Sequence, residues 1–436
     1  MPMLVGMGRP PADAVLSFPA VWGKRLPQDF TRNGLLPMNK SIDAIAAGHI
    51  CLDITPIIPE TGRARIEEIL TPGSLTMVEA GTVALGGQVA NTGLALKRFG
   101  HSVAALGGIG DDELGLVVQR LLERHAAAGA IRPAPGAVTS FSVVLAPPGI
   151  DRMFLHCPGA NDTFGAENID FDLVRRARLL HFGYPTLMRR MYADRGAELA
   201  RIMRQTKDCD VTTSLDMSMP DPHSPAGLAD WPRILEQTLP WVDLFLPSVE
   251  EIAVALERED YLARRRRDPA ADLVEHYTVT DFRRLADRAL AMGCGVCVIK
   301  AGSRGFYLRS GPAERLARFG GAARCEAGPW ADRELWCPAY RIDRIASATG
   351  SGDCAIAGFL AGVLRGLAPE RAMRLACAAG WHNLRALDPL SGLPDWAGLE
   401  AFVDSGPPVL DPRLSSDEFN WKPGAEVYVG TRDARR

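Results

Sequence analysis

The chain has 436 residues, 47% hydrophobic and 23% charged, and its 49 basic and 52 acidic side chains leave a formal charge of -3. That mixed composition excludes disordered, collagen-like and coiled-coil architectures, and it offers no global basic charge for nucleic acid or anionic membrane. The length allows two or three domains, or one large α/β unit with insertions.

No stretch reaches the roughly 18 consecutive apolar residues of a membrane span. Residues Met1 to Ser41 carry Pro, Gly and charges where a signal peptide would be continuously apolar. A cytoplasmic protein with neither membrane nor nucleic-acid partner is expected. Nine cysteines form an odd, scattered set that suits reduced, buried thiols. Cys294-Gly-Val-Cys297 runs on into a β-like segment with no second close pair, so a zinc site is not expected there. The basic run Arg264 to Arg267 reads as a solvated surface.

In chain order, residues 1 to 40 read as a loosely ordered extension. Asp43 to Gly48 is a short apolar strand, followed by a turn that presents Asp53. A helical pattern continues from Gly93 to Phe99, and Ser102 to Leu106 is strand-like. Asp112 to Arg124 is an amphipathic helix with Leu114, Val117, Val118, Leu121 and Leu122 on one side. Thr139 to Ala146 and Arg152 to Cys157 flank Pro147-Pro148-Gly149, which is hairpin chemistry. Strand-like runs then recur at Leu179 to Phe182, Val211 to Asp216, Val242 to Leu246 and Val296 to Lys300, most of them leading into helical patterns. Such alternation predicts an α/β fold with a doubly wound, mostly parallel sheet and a small β lid. Glu257 to Thr280, Gly311 to Tyr340 and Asp404 to Arg436 read as peripheral.

The most informative stretch is Thr349-Gly350-Ser351-Gly352-Asp353, followed by an apolar run to Leu364. That run is hydrophobic all round, hence a buried helix, and the glycine-flanked turn before it lets backbone amides converge on an anion at the positive end of the helix dipole. Asp353 stands at that mouth, where a carboxylate could accept a proton from an attacking hydroxyl. A base beside an anion hole suits phosphoryl transfer, which needs mainly alignment and charge neutralisation. The plainer reading is a loop with a capping Asp, and the buried helix behind it shifts the balance.

Several blocks in one order resemble the ribokinase-like (PfkB) carbohydrate kinase family. Gly350 to Asp353 with Gly358 and Phe359 resembles its C-terminal signature. Leu85-Gly86-Gly87-Gln88-Val-Ala-Asn91 resembles its N-terminal one, Gly107 to Gly115 its Gly-x-Ile-Gly-Asp-Asp block, and Arg152 to Asn161 its returning lid strand. The resemblance covers about Asp43 to Leu393. It implies an ATP-dependent kinase acting on a small-molecule sugar, over residues 41 to 404, with lid segments near 51–60, 73–86 and 139–157 and a C-terminal extension over 405–436.

By that resemblance Asp353 is the catalytic base and Gly350, Ser351 and Gly352 form the anion hole. Asp53, Gly86, Gly87, Asn91 and Asn161 are expected to bind the sugar. Lys300, Gly302, Gly305 and Thr349 are expected on the nucleotide side, and Glu251 helps organise Mg²⁺, with Glu250 left to complement a helix dipole. Ser248 replaces the family's usual Asn in Asn-x-x-Glu. Ser347 and Ala348 replace its Asp-Thr, which puts K⁺ dependence in doubt. A homodimer is implied by resemblance. Two alternatives are a nucleoside kinase, for which Phe141 and Phe154 are the lid's candidate base-stacking residues, and a non-catalytic sugar-binding or regulatory protein. His49, His181 and His382 are expected to be packed or pocket-lining.

Overall fold

The computed structural model describes residues 40–435 apart from 61, 63–64, 126–130, 151–152, 269–271 and 322–326. The expected N-terminal extension therefore lies almost wholly outside the described residues.

The strands in chain order are β1 Ile42–Gly48, β2 Cys51–Ile57, β3 Glu79–Gly86, β4 Val103–Leu106, β5 Gly108–Gly110, β6 Arg132–Ala134, β7 Phe141–Leu145 and β8 Met153–Cys157. There follow β9 Ala177–Gly183, β10 Thr212–Leu215, β11 Leu244–Phe245, β12 Val296–Lys300, β13 Phe306–Ser310, β14 Glu334–Cys337, β15 Phe419–Lys422 and β16 Val427–Gly430. Ten of them form one sheet in the order β15-β16-β14-β13-β12-β11-β10-β9-β1-β4. From β4 to β12 every pairing is parallel, so both faces need covering and the strands are almost wholly buried. The helix Ser351–Leu364 covers one face, where Ile356, Phe359 and Leu360 join Ala44, Leu179 and Val298 in a shared core. On the other face Ile45, Leu180 and Phe245 pack with Ile202, Ile252 and Phe282. Among the described residues no helix is long and apolar enough to cross a membrane.

The lid is a separate four-stranded sheet, β3-β2-β7-β8, and its β7–β8 pair is the expected hairpin. Two segments read as peripheral are instead strands of the main sheet: β14 lies within 311–340, and β15 with β16 lie within 405–436. Each strand is only four residues long; Trp336 and Phe419 pack into one core and Leu335, Val427 and Val429 into the other, and buried ion pairs add to that hold. Arg283 Nε donates to Glu334 Oε1 at 2.6 Å, its Nη1 donates to Glu418 at 2.9 Å, and Arg333 Nε donates to Asp433 at 2.9 Å.

Candidate active site

The parallel strands point their C-terminal ends at one edge, which is where open α/β sheets bind ligands. Asp353 reaches that edge from the first turn of the helix Ser351–Leu364. The turn before it needs glycine: Gly350 has φ of +74°, and a Cβ there would lie 2.8 Å from Pro389 Cβ. Asp353 is 3% exposed. Asn91 Nδ2 donates to its Oδ2 at 2.9 Å, and the Tyr184 hydroxyl lies 2.8 Å from both carboxylate oxygens. Burial pushes its pKa above the ordinary carboxylate value, against the pull of these hydrogen bonds and of Lys300. In that first turn the Ser351 amide donates to the Ala348 carbonyl at 3.3 Å, whereas those of Gly352 and Asp353 have no acceptor within the helix and remain available to an anion.

On one side of Asp353 lies a cleft of about 720 Å³ that also exposes Gly350, Ser351, Gly352, Gly302 and Gly305. Lys300, at the end of β12, runs beside Gly352, where a Cβ would sit 3.7 Å from Lys300 Cδ. Its ammonium donates to Asp216 Oδ1 at 2.6 Å and stands 3.6 Å from Glu251 Oε2. Burial works against that charge, but Asp216 and Glu251 outweigh it and raise the lysine's pKa. Glu251 turns back to accept from the Ser248 amide at 2.6 Å, while Glu250 accepts from Arg265 at 3.0 Å. Farther out the cleft turns apolar, with Ile342, Ile345, Tyr340 and Trp381 as walls. The Thr349 amide donates to the Ser347 hydroxyl at 3.2 Å.

On the other side the lid presents a polar row. Cross-strand partners share a face, and the register places Ala84, Asp53, Ser142 and His156 side by side. Burial raises the pKa of Asp53. His156 Nδ1 is 3.0 Å from Ser142 Oγ, and its Nε2 is 3.3 Å from His49 Nε2. The His49 ring packs against Tyr184 at 5.9 Å between centroids, and burial with the neighbouring His156 pushes its pKa down to about 3, so it is neutral. Gly86 faces Asp53 so closely that a Cβ would fall 2.3 Å from Oδ2, and one on Gly87 would fall 2.7 Å from the His49 carbonyl oxygen.

Two expectations for this side change. Asn161 accepts from the Ile50 amide at 3.3 Å and donates to the Ile50 carbonyl at 2.9 Å, so both ends of its side chain pin the β1–β2 turn rather than face a ligand. Phe141 pairs with Leu52, on the lid face opposite Asp53, and packs into the core beneath it, whereas Phe154 pairs with Val144 on the same face as Ser142 and His156 and is 53% exposed. Tyr184, Asp216, Ser142 and His156 are the additions. Tyr184 and Asp216 each directly follow a parallel strand, and that position was their one signal in the sequence.

Among the described residues no group of three or more His, Cys, Asp or Glu is placed to hold a metal ion. With one Glu251 oxygen tied to Ser248 and a lysine alongside, the donor set fits a hydrated divalent cation and not an all-protein cage.

Residues 51–394 match the family described as pfkB family carbohydrate kinase. The chain belongs to that family. An uncharacterized sugar kinase of Archaeoglobus fulgidus is 24% identical over 301 residues, 69% of this chain and 98% of that protein. Fructokinase-2 of Zea mays is 30% identical over 165 residues, and the match spans 37% of this chain and 48% of that enzyme. Among solved structures, Arabidopsis thaliana ribokinase complexed with ribose and ATP has a TM-score of 0.60 at 16% identity, covering 83% of this chain and 99% of that one. Fructokinase of Xylella fastidiosa with bound ATP has a TM-score of 0.59 at 17% identity, covering 84% and 99%. The solved structures establish that this PfkB member has the ribokinase fold. Family membership makes it a carbohydrate kinase.

Proposed function

We propose that this kinase transfers the terminal phosphoryl group of ATP to a hydroxyl of a sugar, with Asp353 as general base. The observation that carries this reading is one buried carboxylate standing between a nucleotide-sized cleft and a polar lid row. The acceptor hydroxyl gives its proton to Asp353 as its oxygen bonds to phosphorus and ADP leaves with the electrons of the broken P–O bond. Asp53 and Asn91 orient the acceptor beside the Gly86-Gly87 turn. The amides of Gly350 to Gly352 and the Lys300 ammonium receive charge developing on the phosphate oxygens. A Mg²⁺ bound with the nucleotide, its water oriented by Glu251, would neutralise phosphate charge. Gly302 and Gly305 leave room along the cleft for the nucleotide, and Thr349 keeps the turn in place through Ser347.

The homodimer belongs to the same reading. The lid's other face carries a cross-strand apolar row, Val83-Ile54-Val143-Leu155, in which Val83 is 51% and Leu155 60% exposed. A second lid would cover it.

The test is ADP release from ATP over a panel of sugars and nucleosides, with wild type and Asp353→Asn. Sugar-dependent turnover that falls by ~10²- to 10⁴-fold in the variant is expected. Equal turnover in both proteins, or none with any acceptor, overturns the reading.

A further inference from the structure

The Tyr184 side chain is more closely engaged with Asp353 than any expected site residue. Its hydroxyl carries a single proton and lies 2.8 Å from both Oδ1 and Oδ2, while Asn91 donates to Oδ2 from the helix Gln88–Arg98. Two donors from separate elements therefore fix the plane of the carboxylate, and they occupy only part of its lone-pair capacity. The backbone reinforces the point: Tyr184 sits at φ +65° and ψ +44°, a left-handed conformation that an aromatic residue rarely adopts. Such strain persists where the surroundings impose it, typically at working sites. Here it turns the chain out of β9 so that the ring lies on His49 and the hydroxyl enters the cleft beside the helix dipole.

We propose that Tyr184 is a positioning residue that holds the Asp353 carboxylate in the orientation from which it takes the acceptor's proton. The inference rests on Asp353 being the base. Its consequence is electrostatic as well as geometric, because the phenol can donate to the ionised carboxylate at no cost to any other contact. The other groups facing Asp353 are Lys300 and Glu251 across the cleft, Asp216 behind Lys300, Asp53 and Cys51 on the lid, and Cys354 next on its own helix. Asp216 and Glu251 also bear on Tyr184, and His49, in ring contact with it, leads on to His156. None of these supplies a second hydroxyl donor to the carboxylate.

The experiment is the pH dependence of kcat/KM with the best acceptor, for wild type, Tyr184→Phe and Asp353→Asn, with circular dichroism at each pH to confirm the fold. Removing a donor to the charged form raises the pKa of the base, so the acid limb in Tyr184→Phe should move upward by about one pH unit. Above the limb Tyr184→Phe should level off below wild type because its carboxylate is no longer held in place, and below the limb the deficit should widen by about a further tenfold. A structural role alone would lower the rate uniformly with the limb in place, and that result overturns the proposal. Should Tyr184→Phe misfold, 3-fluorotyrosine at the same position keeps the ring and strengthens the donor; the limb should then shift downward, and an unmoved limb again refutes the role. If Asp353→Asn keeps full activity, it is the base assignment that fails.

Discussion

Replacing Gly86 by Ala separates acceptor recognition from the rest of the machinery. A Cβ at residue 86 would fall 2.3 Å from Asp53 Oδ2 and 2.4 Å from Asp53 Cγ, well inside van der Waals contact. Gly86 has no positive φ, so its backbone tolerates a side chain, and the atoms in the way are the movable end of Asp53. The carboxylate therefore gives way while the fold survives. A hydrogen bond from a sugar hydroxyl to a carboxylate is worth about 1.5–3 kcal/mol. Its loss should cost about 10- to 150-fold in kcat/KM for the sugar. The cleft beside Gly350 to Gly352, proposed for the nucleotide, includes neither Gly86 nor Asp53, so KM for ATP should hardly move. Steady-state kinetics of Gly86→Ala, Asp53→Ala and the double variant provide the check. Because both changes remove the same contact, the double variant should be no worse than Asp53→Ala alone. A double variant whose loss is the product of the two single losses, or an ATP KM that rises with the sugar KM, would refute the reasoning.

Three further outcomes are expected. Asn161→Ala removes both bonds to the Ile50 backbone and should cost about 2–4 kcal/mol in denaturant stability, with the sugar KM of the folded enzyme nearly unchanged; a raised KM at full stability would instead make Asn161 a ligand contact. Leu155→Glu puts a charge on the exposed lid row and should convert a dimer to a monomer in sedimentation, whereas a wild type that already sediments as a monomer rules the lid dimer out. His49 and His181 are buried neutral with pKa values pushed down to about 3, His49 by burial and His156, His181 by burial and Lys300. The unfolded chain binds more protons below pH ~6.5, so their stabilisation is complete above that pH and is lost as pH falls toward 3. Together they should remove about 4 kcal/mol by pH 5, and a stability curve flat from pH 7 to 5 contradicts this.

What the sequence showed and what it hid divide along physical lines. The Gly350-Ser351-Gly352-Asp353 turn is legible because everything it needs is local: glycines, an acid and a helix apolar on every side. The parallel strands are legible as short apolar runs. By contrast β14, β15 and β16 are held by partners distant in sequence, such as Arg283 with Glu334 and Glu418, and four residues are too few for a period to show. Tyr184 and Asp216 belong to no motif, and what makes them functional candidates is the strand end they occupy, a property of topology. Asn161 looked like a ligand contact because a buried amide serves a backbone turn and a sugar equally well, and residue type alone does not decide between them.

The two halves of the site are built on different sheets, and this bears on how specificity can change. Lys300, Asp216 and Glu251 are anchored at or beside the ends of the main parallel strands, whereas Asp53, Ser142 and His156 ride on the lid. The lid meets the core near the site through the His49–His156 contact and the Asn161 clasp on Ile50, and Tyr184 lies beneath that junction against both His49 and Asp353. A substitution in the lid row can therefore alter which acceptor is held without displacing the lysine or the phosphate-facing turn. A change at Tyr184 or His49 bears on Asp353 itself. Acceptor preference should accordingly vary first along Ala84, Ser142 and His156, and a swap at those three positions that changes sugar preference with kcat on the preferred sugar retained is the outcome this architecture predicts; loss of turnover on every acceptor would show that the halves are coupled.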